Sequence, residues 1–308
     1  MFRRNFFVRY FSLLFILSGF FLSSNAGDTV SISTRQEAIN YIHNIKTIAP
    51  SSFWPHLKPE KFLRNVLEDI NNPNALYQGN NTNFCGYAAL TYMPLHYDPL
   101  GHAKKLIALY QYGEVLYGKA HLKPSAAVRN AAGNLVYKGA LDVRGAEQMW
   151  LLTLADHFKS YLNFFNRKYK AGDENSFWAG VSYGKFNRMI RTLLGYELHA
   201  RGSDLRHPRL GDIYTYLQEQ LTLGGTTIVF QNNAYLRKKA KGKFKPGYPT
   251  HFIVLQSIRK INDSLITMTY WDYGFETLRQ VSPAVLKKII FGVTHVHTNL
   301  PGNEKVIL

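Results

Sequence analysis

Residues 251–274 read HFIVLQSIRKINDSLITMTYWDYG. Two β-branched runs flank Asn262-Asp263, a dipeptide that favours a tight reversal, so the stretch predicts an antiparallel hairpin. If Ile261 and Ser264 border a two-residue turn, His251 falls opposite Gly274 and diagonal to Asp272. Residues two apart share a sheet face, which brings an imidazole and a carboxylate together at the open end of the hairpin. TTIVFQ (226–231) and GVTHVHT (292–298) add further strands to the same third of the chain.

Upstream of these strands the pattern turns helical. Ser33 followed by Gln36 suggests a capping box opening a helix to about Ile48. Pro59 opens PEKFLRNVLEDIN, whose apolar residues recur at helical spacing. FCGYAALTYMPL reads as a buried helix starting at or just after Cys85. Further helices are expected at about 101–117, 145–165, 185–194 and 210–222. Helices first and strands last predict an α+β fold.

Residues 1–26, MFRRNFFVRYFSLLFILSGFFLSSNA, join Arg3, Arg4 and Arg9 to a short apolar run and a small-residue Ser24-Asn25-Ala26 site. That order is expected of a signal peptide, predicting an exported, periplasmic or secreted chain that starts near Gly27 and has no membrane span once processed. The remainder is long enough for one large core. A 27–75 helical segment is expected to precede a 76–308 catalytic domain. At 46% hydrophobic and 14% aromatic residues the chain is globular, not disordered.

The 37 Lys+Arg against 20 Asp+Glu give a formal charge of +17, a bias toward polyanionic partners such as cell-wall polymers. Arg237, Lys238, Lys239, Lys241, Lys243 and Lys245 crowd one loop just before His251, an expected docking or gating loop for an anionic polymer. No nucleic-acid-binding motif accompanies it, so nucleic acid is not the expected partner.

Cys85 is the single cysteine, so no internal disulfide forms and the thiol is available for chemistry. A helix N-terminus at Cys85 favours its thiolate, because unpaired amides and the helix dipole face it. Gly86 removes side-chain bulk next to it, where a substrate carbonyl is expected to approach. Gln78, in the polar loop ahead of Cys85, is the expected neutral donor to an oxyanion, with Asn81 and Asn83 as alternatives. His251 supplies the base and Asp272 the acid that holds its tautomer.

Other constellations are less coherent. Gly180-Val181-Ser182-Tyr183-Gly184 matches G-x-S-x-G, but polar DENSFWAG precedes it instead of a buried strand, so it reads as a turn before a helix. His295 and His297 share a strand face without a third ligand at a recognisable spacing and read as packing or surface histidines. No phosphate loop, dinucleotide fingerprint, HExxH or calcium loop is present, so neither cofactor nor metal is expected.

The segments QGNNTNFCGYAAL, PTHFIVLQSI and YWDYG resemble the papain-like cysteine peptidase superfamily, and among its branches the bacterial leader-processing bacteriocin peptidases with Cys, His and Asp. The resemblance implies a helix presenting Cys85 packed on an antiparallel sheet presenting His251 and Asp272. It further implies Cys85 as nucleophile, His251 as base and acid, Asp272 as orienter and Gln78 as oxyanion donor. The long interval from Cys85 to His251 implies a helical insertion at about 100–222, and Gln78 lies one residue farther from the cysteine than in papain. The expected activity is amide hydrolysis through a thioester, on protein or on peptidoglycan peptides. A transglutaminase-like transfer, or a papain-shaped binding module without activity, are the alternatives.

Overall fold

The computed structural model describes residues 32–136, 143–159, 168–236 and 247–297. The expected signal segment 1–26 and the basic loop from Arg237 to Lys245 lie outside the described residues. So does the distal part of the helix expected over 145–165.

Helices dominate the first two-thirds: α1 (Arg35–Asn44), α2 (Pro59–Asn71), α3 (Cys85–Tyr97) and α4 (Pro99–Tyr112). A small hairpin, β1 (Val115–Tyr117) and β2 (Ala120–Leu122), then leads to α5 (Ala126–Ala131), α6 (Gly145–Phe158) and α7 (Tyr183–Met189). The last third holds β3 (Glu197–Gly202), α8 (Ile213–Thr222), β4 (Thr226–Gln231), β5 (His251–Asn262), β6 (Leu265–Asp272), β7 (Phe275–Val281), α9 (Pro283–Ile289) and β8 (Ile290–His297). The architecture is α+β, with a six-stranded antiparallel sheet in the order β3-β8-β4-β5-β6-β7.

Side-chain alternation along the strands divides the core. Ile228, Phe230, Phe252, Val254 and Trp271 pack with the helices of the N-terminal two-thirds. Val229, Ile253, Leu255, Met268 and Tyr270 pack instead with Leu217 of α8 and Leu286 of α9. The sheet is thus covered on both faces, which is why every residue of TTIVFQ is buried rather than alternately exposed.

Three boundaries differ from the sequence expectation, each for a local reason. The first helix is capped by Thr34, not Ser33: Thr34 accepts from the Glu37 amide while Glu37 returns to the Thr34 amide. Ser33 instead donates to Asp98 and accepts from the Leu100 amide, tying α1 to the start of α4. The helix also ends at Asn44, because IKTIAP places three β-branched residues before a proline. The helix expected to 117 stops at Tyr112, where Gly113 adopts φ +70 as a left-handed cap and β1 follows. β1, β2, β3 and β7 were not anticipated.

The hairpin that positions the site reaches the expected register by another route. Asn262 pairs with Leu265, so the turn is Asp263-Ser264. Two irregularities then each insert one extra residue into β5, Ile261 and Gln256. Val254 consequently pairs with Trp271, the register that sets His251 against the Asp272 end of β6.

Candidate active site

Three side chains from three elements meet at one end of the sheet. Cys85 is the first residue of α3 and half-buried. His251 opens β5 and Asp272 closes β6, at 2% and 7% exposure. His251 Nε2 lies 3.2 Å from Asp272 Oδ2, and the other carboxylate oxygen accepts from Thr277 Oγ1 at 2.9 Å. The thiol of Cys85 hydrogen-bonds the same imidazole. With Nε2 held by Asp272, Nδ1 is the nitrogen left for sulfur, and the Tyr273 hydroxyl stands 3.4 Å from it.

The electrostatics follow from this packing. Burial alone would keep the Cys85 thiol neutral. His251 and the backbone amides of Phe252 and Gly86 outweigh it, so the thiol ionises below its ordinary range. Burial likewise disfavours an imidazolium at His251. The hydrogen bond to Asp272, then Cys85, overcomes it and pushes the imidazole up to about 9. Both shifts favour a thiolate–imidazolium pair near neutral pH.

The reversal after Asp272 is a two-residue turn with positive φ at both Tyr273 (+48) and Gly274 (+78), since Asp272 pairs with Phe275. Among the described residues Tyr273 is the one non-glycine with positive φ. Its ring lies against His251, centroids 4.6 Å apart and nearly parallel. A tyrosine held in an unfavourable backbone region thereby fixes the plane of the imidazole.

Gln78 is 1% exposed, and its Nε2 has no hydrogen-bond partner. An unsatisfied buried amide donor costs about 1–3 kcal/mol, so the loop must hold it in place. The Tyr77 amide donates to Glu147, which is buried and paired with Arg144, and Arg144 also binds Glu68 and Asp69. Thr82 closes the loop onto the Gln78 carbonyl at 2.6 Å. Of the alternatives, Asn83 borders the Cys85 cleft but donates its amide to the Ser176 carbonyl at 2.8 Å, and Asn81 borders a different cleft. Packing requires a glycine at 86, because a Cβ there would meet Val181 Cβ at 2.9 Å.

Cys85 opens into a cleft of about 420 Å³ floored by Val181, Phe230 and Phe252 and bordered by Asn83 and Ser176. Phe177 and Tyr248, both largely exposed, stand at its lip. A second cleft, about 450 Å³, lies on the Asp272 side and is mainly polar.

Ser182 caps α7 by accepting from the Lys185 amide, so the G-x-S-x-G segment is a helix start with no strand leading into it. His295 is buried against Thr227, and among the described residues no group of three His, Cys, Asp or Glu is arranged to hold a metal. No model of a known protein family matches this chain, and no curated protein matches it.

Sequence reasoning missed Tyr273, the Arg144–Glu147 anchor and Gln231. Gln231 pairs with His251 across β4 and β5, is fully buried, and has neither amide atom partnered. Gly274 is the one local turn signal beside Tyr273. Arg144 and Glu147 form an i, i+3 pair at the start of α6, but the links from that pair to Tyr77, Glu68 and Asp69, like the pairing of Gln231 with His251, are long-range and carry no local signal.

Proposed function

We propose that the chain is a papain-like cysteine hydrolase that cleaves amide bonds through a thioester on Cys85. The observation that carries this reading is the single imidazole that hydrogen-bonds both Cys85 and Asp272 at the mouth of a cleft. The helix presenting the thiol and the antiparallel strands presenting His251 and Asp272 agree with that architecture.

In the proposed reaction the Cys85 thiolate attacks the scissile carbonyl, forming a C–S bond. His251 gives its Nδ1 proton to the departing nitrogen as the C–N bond breaks. Water then enters, His251 takes one of its protons, and hydroxide displaces the thiolate to release the acid. Asp272 holds the ring with Nδ1 toward sulfur and stabilises its cationic form. The uncommitted Gln78 amide is the donor for the tetrahedral oxyanion. The substrates are proteins or the peptide stems of a wall polymer reached by an exported enzyme. The cleft at Cys85 is lined by neutral side chains, so the charge of the chain acts outside it.

Digesting a denatured protein and purified peptidoglycan side by side, with products identified by mass, tests the reading and chooses between substrates. Wild-type protein should release new carboxyl termini from one of them, and Cys85→Ala from neither. Identical product patterns for the two proteins would refute hydrolysis at Cys85. Intact substrate with wild-type protein, together with retained binding, would make the chain a binding module.

A further inference from the structure

The two clefts beside His251 differ in chemistry. The one containing Cys85 has an apolar floor. The one on the far side of the imidazole is bordered by Asn80, Asn81 and Asn233, by Tyr273 over His251, and by Arg279. Register explains why Arg279 faces it. Asp272 pairs with Phe275, Tyr270 with Thr277 and Met268 with Arg279, so Tyr270, Asp272, Thr277 and Arg279 share one sheet face. The Tyr270 hydroxyl hydrogen-bonds Arg279 on that face.

Asp272 is the one carboxylate bordering this cleft, and both its oxygens are engaged, by His251 and Thr277. No described carboxylate forms an ion pair with Arg279. A planar guanidinium with amide donors nearby matches a carboxylate, which it binds through two parallel hydrogen bonds.

We propose that the cleft beyond Asp272 is a subsite for a carboxylate on the leaving side of the substrate, with Arg279 as its specificity-determining residue. The inference rests on amide cleavage at Cys85. The acyl portion becomes bonded to sulfur in the apolar cleft, and the departing amine takes its proton from the imidazole that separates the two clefts. The leaving portion therefore extends over Tyr273 toward Arg279. The substrate class is a peptide with an apolar or aromatic residue on the acyl side and an acidic group, side-chain or terminal, on the leaving side.

The test uses fluorogenic peptides identical on the acyl side, with leaving segments carrying a glutamate, a glutamine, a free terminal carboxylate or a terminal carboxamide. Wild-type kcat/KM should favour a carboxylate over its neutral partner by about fivefold or more. The glutamate and free-terminus arms show which carboxylate is read. Arg279→Gln should erase the preference by raising KM for the acidic peptides alone, with neutral peptides unchanged, and Arg279→Lys should restore part of it. Equal rates for acidic and neutral peptides, or an equal loss for both in Arg279→Gln, would overturn the subsite. Calorimetry on Cys85→Ala separates this result from the fate of the hydrolase reading. If no peptide is cleaved, the same carboxylate preference and the same Arg279→Gln loss should still appear in binding, and their absence there also overturns the proposal.

Discussion

Replacing Asp272 by Asn tests the electrostatic argument at its centre. The change keeps the shape of the side chain and the Thr277 contact but removes the charge 3.2 Å from His251 Nε2. His251 stands at about 9 against an ordinary 6.5. That gap favours the imidazolium by about 3 kcal/mol at 1.36 kcal/mol per pH unit. Asp272 is the first contributor to that gap, and burial, which opposes the charge, remains after it is gone. The imidazole should then fall by about 1 to 2 on the pH scale, and the thiolate that depends on it should become correspondingly scarcer. Cys85 is the single cysteine, so iodoacetamide uptake followed by mass spectrometry reads this one site. Wild-type protein should be alkylated rapidly at pH 6–7, with a midpoint below the free-thiol value of about 8.5. Asp272→Asn should react about ten- to a hundredfold more slowly at pH 7 and regain its rate at higher pH, with unchanged circular dichroism. An unchanged midpoint in the variant would remove Asp272 from the electrostatics of the pair. Wild-type protein inert until unfolded would return Cys85 to the core, and the proposed mechanism with it.

Hydrolysis should follow a bell in pH: it rises as Cys85 ionises below its ordinary range and declines as His251 loses its proton through about 9. A profile still climbing at pH 10 would contradict an imidazolium acid. Gln78→Ala should lower kcat by about a hundredfold or more while leaving alkylation of Cys85 untouched, so parallel losses in both assays would make Gln78 a structural residue. Arg144→Ala should destabilise the fold by about 3–5 kcal/mol, because Asp69 and Glu147 then remain buried without a cation; denaturant unfolding measures it, and a loss under 1 kcal/mol would refute the anchor. Gly86→Ala should cost about 1–3 kcal/mol through the clash with Val181, and Val181→Ala in the same chain should recover most of it.

What could be read in advance divides along a physical line. The α+β class, the helix beginning at Cys85 and the pairing of His251 with the Asp272 end of its neighbour strand all rest on local signals: apolar period, proline position and turn dipeptide. The hairpin is instructive because one of its premises was wrong. The turn lies one residue later than Asn262-Asp263 implied, and Ile261 and Gln256 bulge out of β5 to compensate. Two one-residue irregularities that together restore the face of His251 point to register being set at the buried end, where Val254 and Trp271 pack into the helical side of the core, and not at the exposed turn. The buried end also holds what no window of sequence displays. The backbone just before Gln78 is held at Tyr77 by Glu147, Glu147 is paired with Arg144, and Arg144 with acids on α2, a chain of partners drawn from three distant segments. Tyr273 lies between the two cases. Gly274 beside it is a local turn signal, but the stacking of the Tyr273 ring on His251 follows only once the turn has been folded over the sheet end. The composition of a site can therefore be anticipated from spacing when its members sit on one hairpin or one helix terminus. The scaffold that holds their geometry cannot, because it is assembled from contacts that the chain makes only after the sheet has formed.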